Sequence, residues 1–222
     1  RLGLRPRPFI WVLLLGCILA YPLAPAVSSP SGDKRDYILV INTYAESTPW
    51  SRGIITDITA RVEQIENLEL YTEHINLLLV DSPREIETFE TNLLREYGKK
   101  PPRALVLIGT PTALLRNFIN SIWKGIPTIV CAEQDFVGPD KYYQKRLPIP
   151  ASEQVPLRTL ADRDNLTLLY SPAYLDQSID LMKRILPGMD RLIFIDDARY
   201  VNRQTEHDLA ELLDSKYGGI KY

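Results

Sequence analysis

Leu105-Val106-Leu107-Ile108-Gly109-Thr110-Pro111-Thr112 is the stretch whose reading decides the fold. Its four leading residues have no polar face, the pattern of a strand covered on both sides. Gly109 gives a flexible turn, and Thr110-Pro111 places a capping hydroxyl and a first-turn proline where a helix would start. A buried strand running straight into a helix is half of a βαβ unit. The same alternation extends in both directions. Residues 37–41, 68–74, 104–108, 128–131, 166–170 and 192–195 read as strands, and residues 75–80 stay open between strand and loop. Between them lie helical stripes: Ile54, Ile55, Ile58, Val62 and Ile65 after Thr48-Pro49, and Ile86, Phe89, Leu93 and Tyr97 after the capping box Ser82-Pro83-Arg84-Glu85. Thr110-Pro111 leads into Leu114, Leu115, Phe118 and Ile122, and Ser171-Pro172 into Leu175, Ile179, Met182 and Leu186. A fifth helix over 201–217 carries Leu209, Leu212, Leu213 and Tyr217. Strands and helices repeating at roughly 30-residue spacing predict an α/β fold with a mostly parallel sheet and helices on both faces.

Residues 134–165 break this rhythm. Pro139, Pro148, Pro150 and Pro156 sit there among polar residues without an apolar stripe. The segment reads as the end of a first lobe and a crossover to a second.

The 222 residues are 45% hydrophobic and 24% charged, which excludes disordered, collagen-like and coiled-coil chains. A net charge of -2 offers no basic excess, so no nucleic-acid partner is expected. The front of the chain differs from the body. Arg1, Arg5 and Arg7 precede residues 9–21, a run free of charge, and Ala24-Pro25-Ala26 follows with the small-x-small pattern of a signal-peptidase site. Residues 1–26 therefore read as a signal peptide or an N-terminal anchor, and Leu14-Leu15-Gly16-Cys17 leaves a lipoprotein signal open. Each reading sends the body to a periplasmic or otherwise extracytoplasmic location. Cys131 is then alone, so no intrachain disulfide is expected. Because the chain starts at Arg1 and ends on the strand-like Gly218-Gly219-Ile220-Lys221-Tyr222, it reads as a fragment cut at both ends.

Parallel sheets bind ligands beyond the carboxyl ends of their strands, where helix N-termini also point. The candidate ligand-binding residues are accordingly Tyr44, Trp50 and Ser51 after the first strand, Gly109 and Thr110 after the third, Glu133 after the fourth and Tyr170 after the fifth. Tyr44 offers a stacking face with a polar tip. Thr110 serves equally as an N-cap, and Trp50 as packing under the first helix. Asp196-Asp197 does not make an acidic receiver-type pocket, because Asn42 and Thr43 stand where that pocket needs acids; Asp197 reads as a helix cap. Dinucleotide-binding, P-loop and nucleophile-elbow motifs are all missing, and His74 and His207 have no metal-ligand spacing. No catalytic residue, cofactor or metal is expected, and a binding role remains.

Three strings carry a family resemblance. Residues 37–44 with Pro49-Trp50-Ser51, residues 105–113 with 125–130, and residues 174–194 with Leu186-Pro187-Gly188 resemble, in order, the periplasmic sensor domains of bacterial sensor histidine kinases, many of them hybrid kinases. That family is related to ABC-transporter substrate-binding proteins. The resemblance implies two α/β lobes around a ligand cleft, similar to type 1 periplasmic binding proteins: lobe 1 over 37–160 and the start of lobe 2 over 166–222, the second lobe incomplete. It implies a small-molecule ligand and an output through a membrane-anchored kinase of the inner membrane, or, in the transporter alternative, a permease. Two departures stand out: residues 145–164 are longer than usual between the lobes, and the second lobe ends after about one and a half βα units.

Overall fold

The computed structural model describes residues 35–76, 82–161 and 165–222. The leader over 1–26 and residues 77–80 lie outside them. In chain order the first elements are β1 (Asp36–Asn42), α1 (Pro49–Val62), β2 (Leu68–His74), α2 (Pro83–Tyr97) and β3 (Ala104–Ile108). A 3₁₀ turn (Thr110–Leu115) then continues as α3 (Arg116–Ile122), followed by β4 (Thr128–Ala132). Next come β5 (Phe136–Val137), α4 (Asp140–Lys145), β6 (Val155–Pro156), α5 (Arg158–Ala161) and β7 (Leu166–Tyr170), and finally α6 (Leu175–Ile185) and α7 (Tyr200–Lys216). Five strands form one parallel sheet in the order β2-β1-β3-β4-β7, and β5 pairs antiparallel with β6 as a small flap.

The protein is thus α/β, with a parallel sheet flanked by helices. Alternation along the strands sorts the core into two layers. Tyr37, Leu39, Ile41, Leu105 and Leu107 point to the face carrying Ile86, Leu93, Leu115 and Ile119. Val40, Val106, Ile108 and Cys131 point to the other, where Ile54, Ile55 and Ile58 of α1 pack. That helix leaves part of its face bare, since Ile129 on β4 is 36% exposed and Leu169 on β7 is 56% exposed. Helix α2 begins as expected: the Ser82 N–H donates to Glu85 Oε2 at 3.0 Å, closing the capping box.

Several elements differ from the expectation, each for a local reason. The helix expected from Thr110-Pro111 starts as a tighter 3₁₀ turn, because the Thr110 backbone N–H and hydroxyl both donate to Glu133 and the Thr112 hydroxyl folds back on the Gly109 carbonyl. The helix expected from Ser171-Pro172 starts at Leu175, because the Ser171 N–H still donates to the Ala132 carbonyl and prolongs the strand ladder. Of its expected buried stripe only Ile179 is deeply buried; Met182 is 40% and Leu186 59% exposed. Strand β7, assigned from the sequence to the start of the second lobe, pairs with β4 from Thr128–Leu166 to Ala132–Tyr170 and so completes the first sheet. The extended segment over 192–195 has no ladder, only a parallel bridge between Arg191 and Lys221. Residues 134–165 are not a bare crossover. They hold the β5–β6 flap, two short α-helices and a 3₁₀ turn (Ala151–Glu153), anchored by the buried Val137, Tyr143, Ile149 and Leu157. Among the described residues no helix is long and apolar enough to cross a membrane.

Helix α7 joins two cores. Its first turns put Tyr200 into the first-sheet core, and Gln204, fully buried, accepts a hydrogen bond from the Ile149 N–H at 2.7 Å. Its last turns bury Leu209, Leu213 and Tyr217 in a separate cluster with Ile179 of α6.

Candidate functional site

The carboxyl end of β1 is built on a buried asparagine. Asn42 Nδ2 donates to Ser51 Oγ (3.3 Å) and faces His74 Nδ1 (3.1 Å), and its Oδ1 accepts from the Tyr44 N–H (3.1 Å). Thr43 locks the next step, its backbone N–H and its hydroxyl both donating to the Ile108 carbonyl at 3.0 Å. Gly109 lies directly against it at φ +99°, where a β-carbon would stand 2.0 Å from Thr43 Oγ1. The close approach and the backbone conformation both require glycine.

Beyond this end of the sheet lies a recess with walls from separate elements. Thr43, Tyr44, Ala45 and Thr48 line it from the β1 loop, and Pro111 from the 3₁₀ turn. Tyr143 and Arg146 enter from the end of α4, while Arg199, Tyr200 and Val201 close it from the start of α7; Asn76 completes the rim. Its cavity volume is about 40 Å³, room for a few ligand atoms such as a carboxylate, with the rest of an occupant held at the open mouth. Tyr143 and Tyr200 lie with ring centroids 4.6 Å apart. The Arg199 guanidinium sits over the Tyr44 ring, 5.8 Å from its centroid, within cation–π range.

The candidates named from sequence divide. Tyr44 lines the recess. Trp50 packs edge-on to Tyr44 at 5.7 Å and so supports that wall from behind. Ser51 is fully buried as the partner of Asn42, and Gly109 makes room for Thr43. Thr110 is buried and donates to Glu133 Oε2 from its N–H (3.0 Å) and its hydroxyl (3.1 Å), tying the end of β3 to the end of β4. Tyr170 is 46% exposed at the end of β7 and does not line the recess. The capping role expected of Asp197 takes the form of a turn just before the helix, its Oδ1 accepting from the Arg199 N–H and from Asn202 Nδ2. His74 serves Asn42, and His207 faces Glu211 at 3.3 Å.

Glu133 does not line the recess but is a perturbed acid. Burial pushes its carboxyl above the usual range, opposed by the hydrogen bond from the Thr110 backbone and by the charge of Arg199. A raised folded-state pKa means that this group's contribution to stability is present below its unfolded value and lost as pH rises through the folded one. Glu133→Gln keeps an oxygen acceptor for Thr110 without the buried charge. We expect it to match or exceed the parent in urea midpoint at pH 7, the difference closing toward pH 4; a parent clearly more stable at pH 7 would contradict this.

Arg146, Tyr143, Arg199 and Tyr200 were not candidates from the sequence. Tyr143 and Arg146 belong to the segment read as a crossover, and Arg199 precedes the last helix with nothing in its neighbours to mark it. Their convergence is tertiary. No family model matches the chain, and no curated protein and no solved structure matches it either.

Proposed function

We propose that the chain is an extracytoplasmic small-ligand-binding sensory domain, the input module of a two-component sensor histidine kinase whose output lies at the membrane. The observation that carries this reading is the recess itself. It opens at the carboxyl ends of parallel strands, where such sheets hold ligands, and one wall comes from a helix that also belongs to a second core. The cluster of Ile179, Leu209, Leu213 and Tyr217, with the parallel bridge between Arg191 and Lys221, supports a second lobe similar to that of type 1 periplasmic binding proteins. A ligand gripping the β1 loop and Arg199 together would favour the arrangement that brings both into contact, and α7 would carry that bias into the second core. The sensor role rests on the resemblance of residues 37–44 and Pro49-Trp50-Ser51.

A thermal-shift screen of amino acids, sugars and small acids tests the binding role. A ligand at 100 times its dissociation constant adds about 2.7 kcal/mol, or roughly 5–10 °C for a chain of this size. We expect at least one such shift, reduced by Thr48→Val and by Tyr44→Phe. A ligand whose shift ignores both substitutions binds elsewhere and defeats the assignment of the site.

A further inference from the structure

We infer that the recess takes a small organic carboxylate with an apolar or planar body, gripped by the terminal nitrogens of Arg199. The inference rests on the reading of the recess as a ligand site and gives that ligand a chemical class.

Arg199 is held at one edge and open at the other. Its Nε lies 2.9 Å from Asp197 Oδ1 and 2.8 Å from Oδ2, which fixes the side chain over Tyr44. Its two terminal nitrogens have no hydrogen-bond partner among the described residues, although the side chain is only 32% exposed. A planar fork of N–H donors fixed in this way matches the two oxygens of a carboxylate. Two more groups on the same walls lack partners among the described residues. The Thr48 hydroxyl makes no cap bond to α1, and the Tyr44 hydroxyl, on a buried side chain, has no acceptor or donor.

Charge selects the sign of the ligand. Among the described residues the lining holds two guanidiniums, Arg146 and Arg199, and no carboxylate. Asp197 is engaged by Arg199, and Glu133 by Thr110. A cationic ligand would gain nothing from the Arg199 terminal nitrogens, and the ammonium of an amino acid would find no carboxylate among the described lining residues. A simple acid is therefore favoured over the corresponding amino acid. The rings of Tyr44, Tyr143 and Tyr200 offer the rest of the ligand an apolar, aromatic surface.

The test is calorimetric titration of the full chain with indole-3-acetate, benzoate and succinate, each beside its amide, and with tryptophan as the amino-acid counterpart of the first. We expect at least one acid to bind at least about tenfold more tightly than its amide, and indole-3-acetate more tightly than tryptophan. Arg199→Gln should weaken that acid by about tenfold or more, with Arg199→Lys recovering part of the loss. An amide that binds as well as its acid, an Arg199→Gln variant of unchanged affinity, or silence from all three acids overturns the inference. A neutral probe whose binding is weakened by Thr48→Val would overturn the charge selection while leaving the recess as the site. A probe indifferent to both Arg199→Gln and Thr48→Val would remove the recess itself.

Discussion

Gly109→Ala is expected to lower the unfolding free energy by roughly 3 kcal/mol or more and to abolish binding in the recess. Two costs combine. At φ +99° and ψ 136° the backbone is in a region that an L side chain occupies only under strain, on the order of 1–3 kcal/mol. The new methyl would also stand 2.0 Å from Thr43 Oγ1, forcing that hydroxyl off the Ile108 carbonyl and loosening the first wall of the recess. Because Thr43 itself lines the recess and leads directly into Tyr44, the displacement reaches the ligand surface although Gly109 is not a lining residue. Denaturant unfolding together with ligand titration checks both effects. A variant of parental stability would mean that the junction between β1 and β3 adapts, and Gly109 would then lose its assigned role.

The second large effect lies in the sheet. Leu105 is fully buried on the central strand β3, facing the layer that holds Ile86, Leu93 and Leu115. Leu105→Ala removes most of a side chain from a site walled by two neighbouring strands and by helices, so little collapse can fill the space; the expected loss is about 2–5 kcal/mol. Ile129, on the adjacent strand but on the bare part of the α1 face, is the internal comparison. Ile129→Ala should cost clearly less, since partly exposed atoms forfeit less transfer free energy and leave no closed cavity. Equal losses at the two positions would contradict the assignment of one covered and one partly bare face.

Local signals made the sheet legible. Runs such as Leu105-Val106-Leu107-Ile108 have one reading when helices bracket them, and the Ser82–Glu85 capping box and the Pro49 start were visible because their geometry is contained within a few residues. What failed was set by partners distant in sequence. Thr110 reads as a helix cap, yet Glu133, 23 residues on, claims both of its donors and tightens the turn. Strand β7 reads as the start of something new, because nothing in Leu166–Tyr170 records that β4 is its neighbour. The burial of Ile149 against Gln204 depends on a contact 55 residues long, so residues 134–165 read as loop although Tyr143 and Ile149 pack against α7.

The site followed the same division. Tyr44 could be named because it lies at a strand end, where parallel sheets bind ligands. Arg199 could not, since its meaning comes from standing over Tyr44 with Asp197 holding one edge. Charge composition gave no help: a chain with a net charge of -2 conceals a recess whose described lining residues include two arginines and no acid.

The most direct measurement is a crystal structure of the full chain with its tightest-binding acid among indole-3-acetate, benzoate and succinate. The expected result is a carboxylate within about 3 Å of the Arg199 terminal nitrogens, its body against Tyr44 and Tyr200. Density for the acid at any other surface, with the recess unoccupied, would contradict the assignment of this recess as the protein's ligand site.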